Sequence, residues 1–406
     1  MALPALTLDE LTQPTSEQRA RLLDLAKRVY KSKPWKQLEE DEIFVVRNPT
    51  DETLLFVGAI GGAGEQAGVI IYRGTEAYFG LLDFLDRASQ MPALPQIGEN
   101  VSDPEEMMAL LTEALSEANF NPMELMQLPQ LQLMFEPSAQ LEDPDKAWIK
   151  AHSYKATGSA FPTFRGVSSG FLPWWISDEE ADIMIVALEQ LLDVIERDDD
   201  ASDLIEILES DDDTGLDMFA RVPTKAKGGK ITWSDERLVV APRRETLRLE
   251  LAPDAQQVEQ ILALPASREV VEVALLSLPV PLGDAQTRPY FPTVLLLGHN
   301  GQVAGMETMP CGFGDALMPQ IVHALVKSLS ERPKRPLTLQ FSSPDLEILN
   351  AIGQKLGIAV EEVEELPTLD AAIESLMEHM ENVDLDDLNE EDFEALESNQ
   401  PPKFLH

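Results

Sequence analysis

The sequence predicts an α/β protein with two tandem three-layer modules of βββαβαβα order, joined by a small antiparallel β bridge. Three observations carry this prediction. Residues 291–380 read in order as strand, tight turn, strand, helix, strand, helix, strand, helix. The same alternation runs through the first two hundred residues. Between the two lies a short stretch of opposite charge that reads as a hairpin. Strands joined through helices pair in parallel, with right-handed crossovers that lay helices on the sheet faces. The expected divisions are 15–200, a linker and bridge over 201–252, a second module over 253–382 and a tail over 383–406.

In the first module, Thr15-Ser-Glu-Gln18 is a capping box for a helix to about Tyr30, after a loose lead-in over residues 1–14. Glu42 to Arg47, Leu54 to Ile60 and Ala67 to Tyr72 read as strands, the last two joined through Gly61-Gly62-Ala63-Gly64. Gly74-Thr75 starts a helix through Ala88, and Ser102-Asp-Pro-Glu105 caps another to about Asn119. Leu131 to Phe135 is a strand, Asp143-Pro144 opens a helix to about Tyr154, and Phe161 to Arg165 is a strand. Ser177-Asp-Glu-Glu180 is a second capping box, leading a helix whose apolar stripe runs from Ala181 to Ile195.

In the second module, Val270 to Val280 supplies the first strand. Thr293–Leu297 and Val303–Glu307 flank Asn300-Gly301, a type I′ hairpin signal because both central residues need positive φ. Asp315 can cap a helix to about Ser330, and Leu337–Phe341 alternates as a strand. Ser343-Pro344 opens a helix that ends near Lys355, with Gly357 placed to take the left-handed C-terminal conformation. Ile358 to Val363 is the last strand, and Thr368 opens a helix striped by Leu369, Ala372, Ile373, Leu376 and Met380. Leu131-Gln-Leu-Met-Phe135 answers Leu337-Thr-Leu-Gln-Phe341, and Asp143-Pro-Asp145 answers Ser343-Pro-Asp345, so an internal duplication is expected. Three strands followed by αβαβα resembles the ribonuclease H-like fold, a resemblance of topology alone.

Composition narrows the function. A formal charge of −41 opposes association with nucleic acid or anionic membranes and makes a protein with a basic surface the expected partner. One cysteine, Cys311, forbids an internal disulfide and a four-thiolate metal site. Met1-Ala-Leu-Pro lacks the basic-then-apolar pattern of a secretory signal, and no apolar run reaches the length of a membrane span. A cytoplasmic setting is the expectation.

The acid-rich stretch Asp193–Asp217 is followed by a basic one carrying Arg221, Lys225, Lys227, Lys230, Arg237, Arg243, Arg244 and Arg248. Lys227-Gly-Gly-Lys230 is its expected hairpin tip, and Leu247 to Leu251 a further strand. Asp384 to Glu397 interleaves acids with Leu385, Leu388, Phe393 and Leu396, the pattern of a disordered tail that can fold on a partner.

No motif commits the chain to a reaction. Gly61–Gly64 joins strand to strand, whereas a phosphate cradle needs a helix N-terminus directly after the glycines. A two-metal nuclease needs converging carboxylates, and the second module offers Glu272 in its first strand but no acid at Phe341-Ser342-Ser343. Glu42 and Glu136 flank first-module strands, while Glu179, Glu189, Glu374 and Glu378 have solvated-face explanations. Cys311, with His299 and His323 in the same module, reads as a packed thiol. No catalytic residue, cofactor or metal is therefore expected.

The binding candidates are His152, Lys155, Arg165, Trp174 and Trp175; simple core packing is the expected state of the two tryptophans, and one of them standing outside as a recognition anchor is the alternative. Phe161-Pro162-x-Phe164-Arg165, Pro173-Trp174 and Ala187-Leu188-Glu189 together resemble bacterial proteins known only as two consecutive domains of unknown function. That resemblance implies no activity. The expected role is a non-catalytic binding or scaffold protein. The alternatives are a metal-dependent enzyme acting on nucleic acid or a nucleotide between the modules, and an acidic mimic of nucleic acid.

Overall fold

The computed structural model describes residues 7–39, 41–62, 66–89, 128–156, 160–197, 205, 215–225, 231–241, 255–278, 281–283, 286–310, 317–342 and 349–382. Two compact units emerge: Pro4–Ser168 with Leu172–Arg244, and Met1–Leu3 and Ser169–Phe171 with Glu245–His406. The class is mixed α/β in both. Among the described residues no helix is long and apolar enough to cross a membrane. The expected helix over 103–119, the tip at 227–230, the strand at 247–251, Cys311, the 343–344 cap and the tail lie outside the described residues.

The N-terminal unit is built on an eight-stranded sheet, in chain order β1 (Phe44–Arg47), β2 (Leu54–Ile60), β3 (Gly68–Arg73), β4 (Gln130–Pro137), β5 (Ala160–Val167), β6 (Trp174–Trp175), β7 (Leu216–Lys225) and β8 (Ile231–Val240). Their lateral order is β6-β5-β4-β3-β2-β1-β7-β8. Among the described residues four helices accompany them: α1 (Ser16–Ser32), α2 (Thr75–Ser89), α3 (Asp143–Ala151) and α4 (Asp178–Ile195).

Strand alternation divides this core in two. Phe44, Val46, Leu55 and Val57 pack with α1 and α4, while Val45, Phe56 and Tyr72 face α2 on the other side. Directly paired residues share a face, as Phe44↔Val57 and Val45↔Phe56 do. Phe56 and Tyr78 stack at 4.3 Å on the α2 side. Both capping boxes form as the sequence predicts, at Thr15–Gln18 and Ser177–Glu180.

Among the described residues the C-terminal unit has five strands, β9 (Val270–Ser277), β10 (Pro292–His299), β11 (Gln302–Pro310), β12 (Thr338–Phe341) and β13 (Ala359–Glu362). Their order is β11-β10-β9-β12-β13, antiparallel from β11 to β9 and parallel from β9 to β13. Its helices are α5 (Ala255–Ala263), α6 (Leu317–Ser330), α7 (Leu349–Leu356) and α8 (Pro367–Asn382). Val271, Val273, Leu295, Leu297, Leu339 and Phe341 bury one sheet face in a core with Ile261, Ile321, Leu325 and Ile352. Ala274, Val294 and Leu296 bury the other under Leu369 and Leu376 of α8. Asn300 and Gly301 both take positive φ, 53° and 76°, as the hairpin signal requires.

The expected one-to-one duplication does not hold. In the C-terminal unit β12 lies parallel beside the first strand, β9. Its sequence counterpart β4 lies antiparallel beside β3. Gly68 lies close against that neighbour, where a Cβ would come within 2.7 Å of the Leu133 backbone oxygen. The place parallel to β1 is taken by β7, part of the expected bridge. The basic hairpin is therefore the edge of the N-terminal sheet. What the two units share is four strands, β3-β2-β1-β7 and β11-β10-β9-β12, with the same directions.

Candidate functional site

Residues His152, Lys155, Arg165, Trp174 and Trp175 are placed by β5, β6 and the end of α3. Register pairs Arg165 with Trp175 and Gly166 with Trp174. The Arg165 guanidinium lies 4.0 Å from the Trp175 ring centroid. It donates to both Asp145 oxygens, Nη1 to Oδ1 at 2.9 Å and Nη2 to Oδ2 at 2.7 Å. Asp145 also accepts from the Glu142 backbone N–H at 3.2 Å, closing a capping box at the start of α3. Arg165 thus ties a sheet edge to a helix start, a bidentate geometry that lysine cannot reproduce.

Both tryptophans are core residues, and neither stands outside as a recognition anchor. Trp174 is 3% and Trp175 8% exposed, packed with Leu11 and Leu8 of the lead-in. Asp178 N donates to Thr12 O at 2.8 Å and fixes that segment beside the helix start. A two-residue edge strand covers little of its own apolar surface, so the lead-in covers it instead. His152 sits between two backbone carbonyls, Nδ1 3.0 Å from Trp148 O and Nε2 3.2 Å from Ser16 O. Of the five candidates only Lys155 is exposed.

The positive stretch is also partly absorbed. Arg221, 5% exposed, donates Nε to Gln190 Oε1 at 3.1 Å and pairs with Asp193 and Asp235. Arg197 pairs with the same two acids. Hydrogen bonds from Arg197, then Arg221, hold the Asp235 carboxyl below its usual range despite desolvation. The reciprocal bond to Asp235 is the main cause that raises Arg197 above its ordinary value. This network fastens the β7–β8 hairpin to the end of α4.

Several of the acids weighed for metal chemistry have structural roles, while Glu179 and Glu374 are exposed. Glu272 accepts from the Thr368 and Leu369 N–H groups, each at 2.9 Å, and so caps α8. Glu180 closes the α4 capping box and pairs with Arg73 at 3.1 Å. Glu189 pairs with Arg21 at 2.6 Å, and Glu136 accepts from Thr163 Oγ1 at 3.3 Å. His299 Nδ1 lies 2.9 Å from Val270 O, while His323 is exposed. Among the described residues, no three of His, Cys, Asp and Glu gather as a metal site would need.

A different surface stands out on the N-terminal unit. β8 is a ten-residue strand at the sheet edge, with Val239 60% and Ile231 38% exposed. Its far end borders a depression lined by Arg47, Glu52, Leu54, Thr75 and the stretch from Leu238 to Ala241. The sequence carries the signal in the apolar run Leu238-Val239-Val240.

Residues 20–102 and 101–219 match the family model described as a domain of unknown function (DUF7309). Residues 257–377 match a second, also described as a domain of unknown function (DUF6930). No curated protein and no solved structure matches the chain. The first match runs to Phe219, inside β7, in keeping with that strand's membership of the N-terminal sheet. The chain therefore carries two domains of unknown function in tandem, DUF7309 followed by DUF6930.

Proposed function

We propose that this chain is a non-catalytic binding protein, cytoplasmic in setting, that takes an extended segment of a basic-surfaced protein along β8. The observation that carries the reading is the exposed ten-residue edge strand with Val239 standing 60% out of it. An edge strand offers a row of backbone donors and acceptors, and strand addition converts them into affinity while side-chain pockets supply selectivity. The Arg197–Asp235–Arg221 network holds the strand from behind, so little ordering free energy is lost on binding. The charge of −41 steers a basic partner towards the molecule.

The C-terminal strand order β11-β10-β9-β12-β13 supports the ribonuclease H-like reading of that unit. Its first-strand acid, Glu272, is held by the α8 N-terminus, which favours a scaffold over a nuclease. The test compares the full chain with Val239→Lys as bait for proteins of its natural host. A partner retained by the first and lost by the second fits the proposal; identical retention by both overturns the β8 assignment. A strong rise of the melting point with Mg²⁺ or Mn²⁺, accompanied by cleavage of mixed nucleic acid, would instead identify an enzyme.

A further inference from the structure

We infer that the end of the C-terminal unit's sheet where β9, β12 and β13 begin is a docking surface for the chain's own acidic tail, residues 383–406. This goes beyond the β8 reading and does not depend on it.

The place is fixed by backbone bonds. Arg335 N donates to Pro265 O at 3.0 Å, Leu337 N to Glu269 O at 2.8 Å and Ala359 N to Leu337 O at 3.0 Å. Arg335 Nη1 reaches Leu262 O at 3.4 Å, and both residues border Gly357. Leu337, Leu262 and Val270 collect here, 54%, 44% and 40% exposed. Arg268 and Lys334 are exposed beside them, and Lys355 lies in the last turn of α7. Nearby Glu269 is already paired with Arg332 at 3.2 Å, while Glu331 and Glu259 remain on the flanks. A cationic, leucine-bearing surface is out of character for a chain of charge −41.

Three helices, α5, α6 and α7, end on this side, and cations are favourable at helix C-termini on that ground alone. That accounts for the charge. It does not account for three large aliphatic side chains left in water beside it. A ligand that is both acidic and aliphatic answers both features, and Asp384 to Glu397 has that composition, with Leu385, Leu388, Phe393 and Leu396 among its acids. The tail follows directly from α8, and its residues could span about 80 Å fully extended, so reach is no obstacle.

Zero-length carbodiimide coupling of the full chain, read by mass spectrometry, tests this. Lys334 and Lys355 are expected to join carboxylates of residues 384–397, within one chain when light and heavy isotopic forms are mixed. In the double variant Arg268→Glu, Lys334→Glu, whose altered side chains are exposed, coupling at Lys355 is expected to fall about tenfold. It should fall similarly in about 1 M salt, where the Debye length is about 3 Å. Lys327–Glu307, 2.8 Å apart, serves as the internal control. Control coupling without tail coupling would overturn the proposal. So would equal coupling of the tail to Lys27 and Lys31 of α1, or coupling that joins only different chains.

Discussion

Alanine at either Trp174 or Trp175 is expected to cost about 3–5 kcal/mol, because each removes a large buried ring from the patch made with Leu11. Urea unfolding of the two single variants measures this; a loss under about 1 kcal/mol would return that residue to the recognition role. Arg165→Met should be worse than Arg165→Met with Asp145→Asn, since the single change strands a carboxylate that is 8% exposed. A double-mutant cycle separates the pair from its packing. The sequence showed that this region is aromatic and basic but not which side chain is covered. The covering residues, Leu8 and Leu11, are far away in the chain, and the Arg165 partner Asp145 looks in sequence like an ordinary first-turn acid.

At the scale of elements, signals contained within about four residues were legible, because such bonds are decided locally. The Thr15 and Ser177 capping boxes, the Asn300-Gly301 turn and Pro144 in the first turn of α3 all appear where their residues put them. Strand neighbours were not legible. The sequence of β4 does not name β3 as its neighbour, and the position beside β1 is filled by a strand from much later in the chain. Strand β6 has two residues and no period to detect. Helix α5 was missed although Val258 and Ile261 mark its inner face. Capping also supplies a prediction. Glu272→Ala should lower stability by about 1–2 kcal/mol, as two first-turn N–H groups of α8 lose a charged acceptor. Glu272→Gln should recover part of it, and a metal-ligand role for Glu272 would predict no such recovery pattern in metal-free buffer.

For the whole molecule, charge acts in two opposing ways. The Arg197–Asp193–Asp235–Arg221 network is attractive and weakens with salt. The summed charge of −41 repels itself in the compact state and is relieved by salt. The network involves partly exposed acids, Asp193 at 52% and Asp235 at 38%, so solvent already screens much of it. Self-repulsion should win. Raising salt from about 0.01 M to 0.15 M shortens the Debye length from about 30 Å to 8 Å and is expected to raise the melting point. A fall would mean the ion pairs dominate. Acid separates the two contributions. Asp235 titrates below its usual value in the folded state, so its stabilisation is complete above the ordinary carboxylate range. It is lost as pH falls through the lowered folded value. Asp235→Asn removes this group's contribution to the pH dependence but leaves most of the net charge in place. The variant should therefore show a shallower loss of stability at acid pH and keep the rise with salt; if its acid limb matches that of the unaltered chain, the network does not hold β8 in the way its geometry indicates.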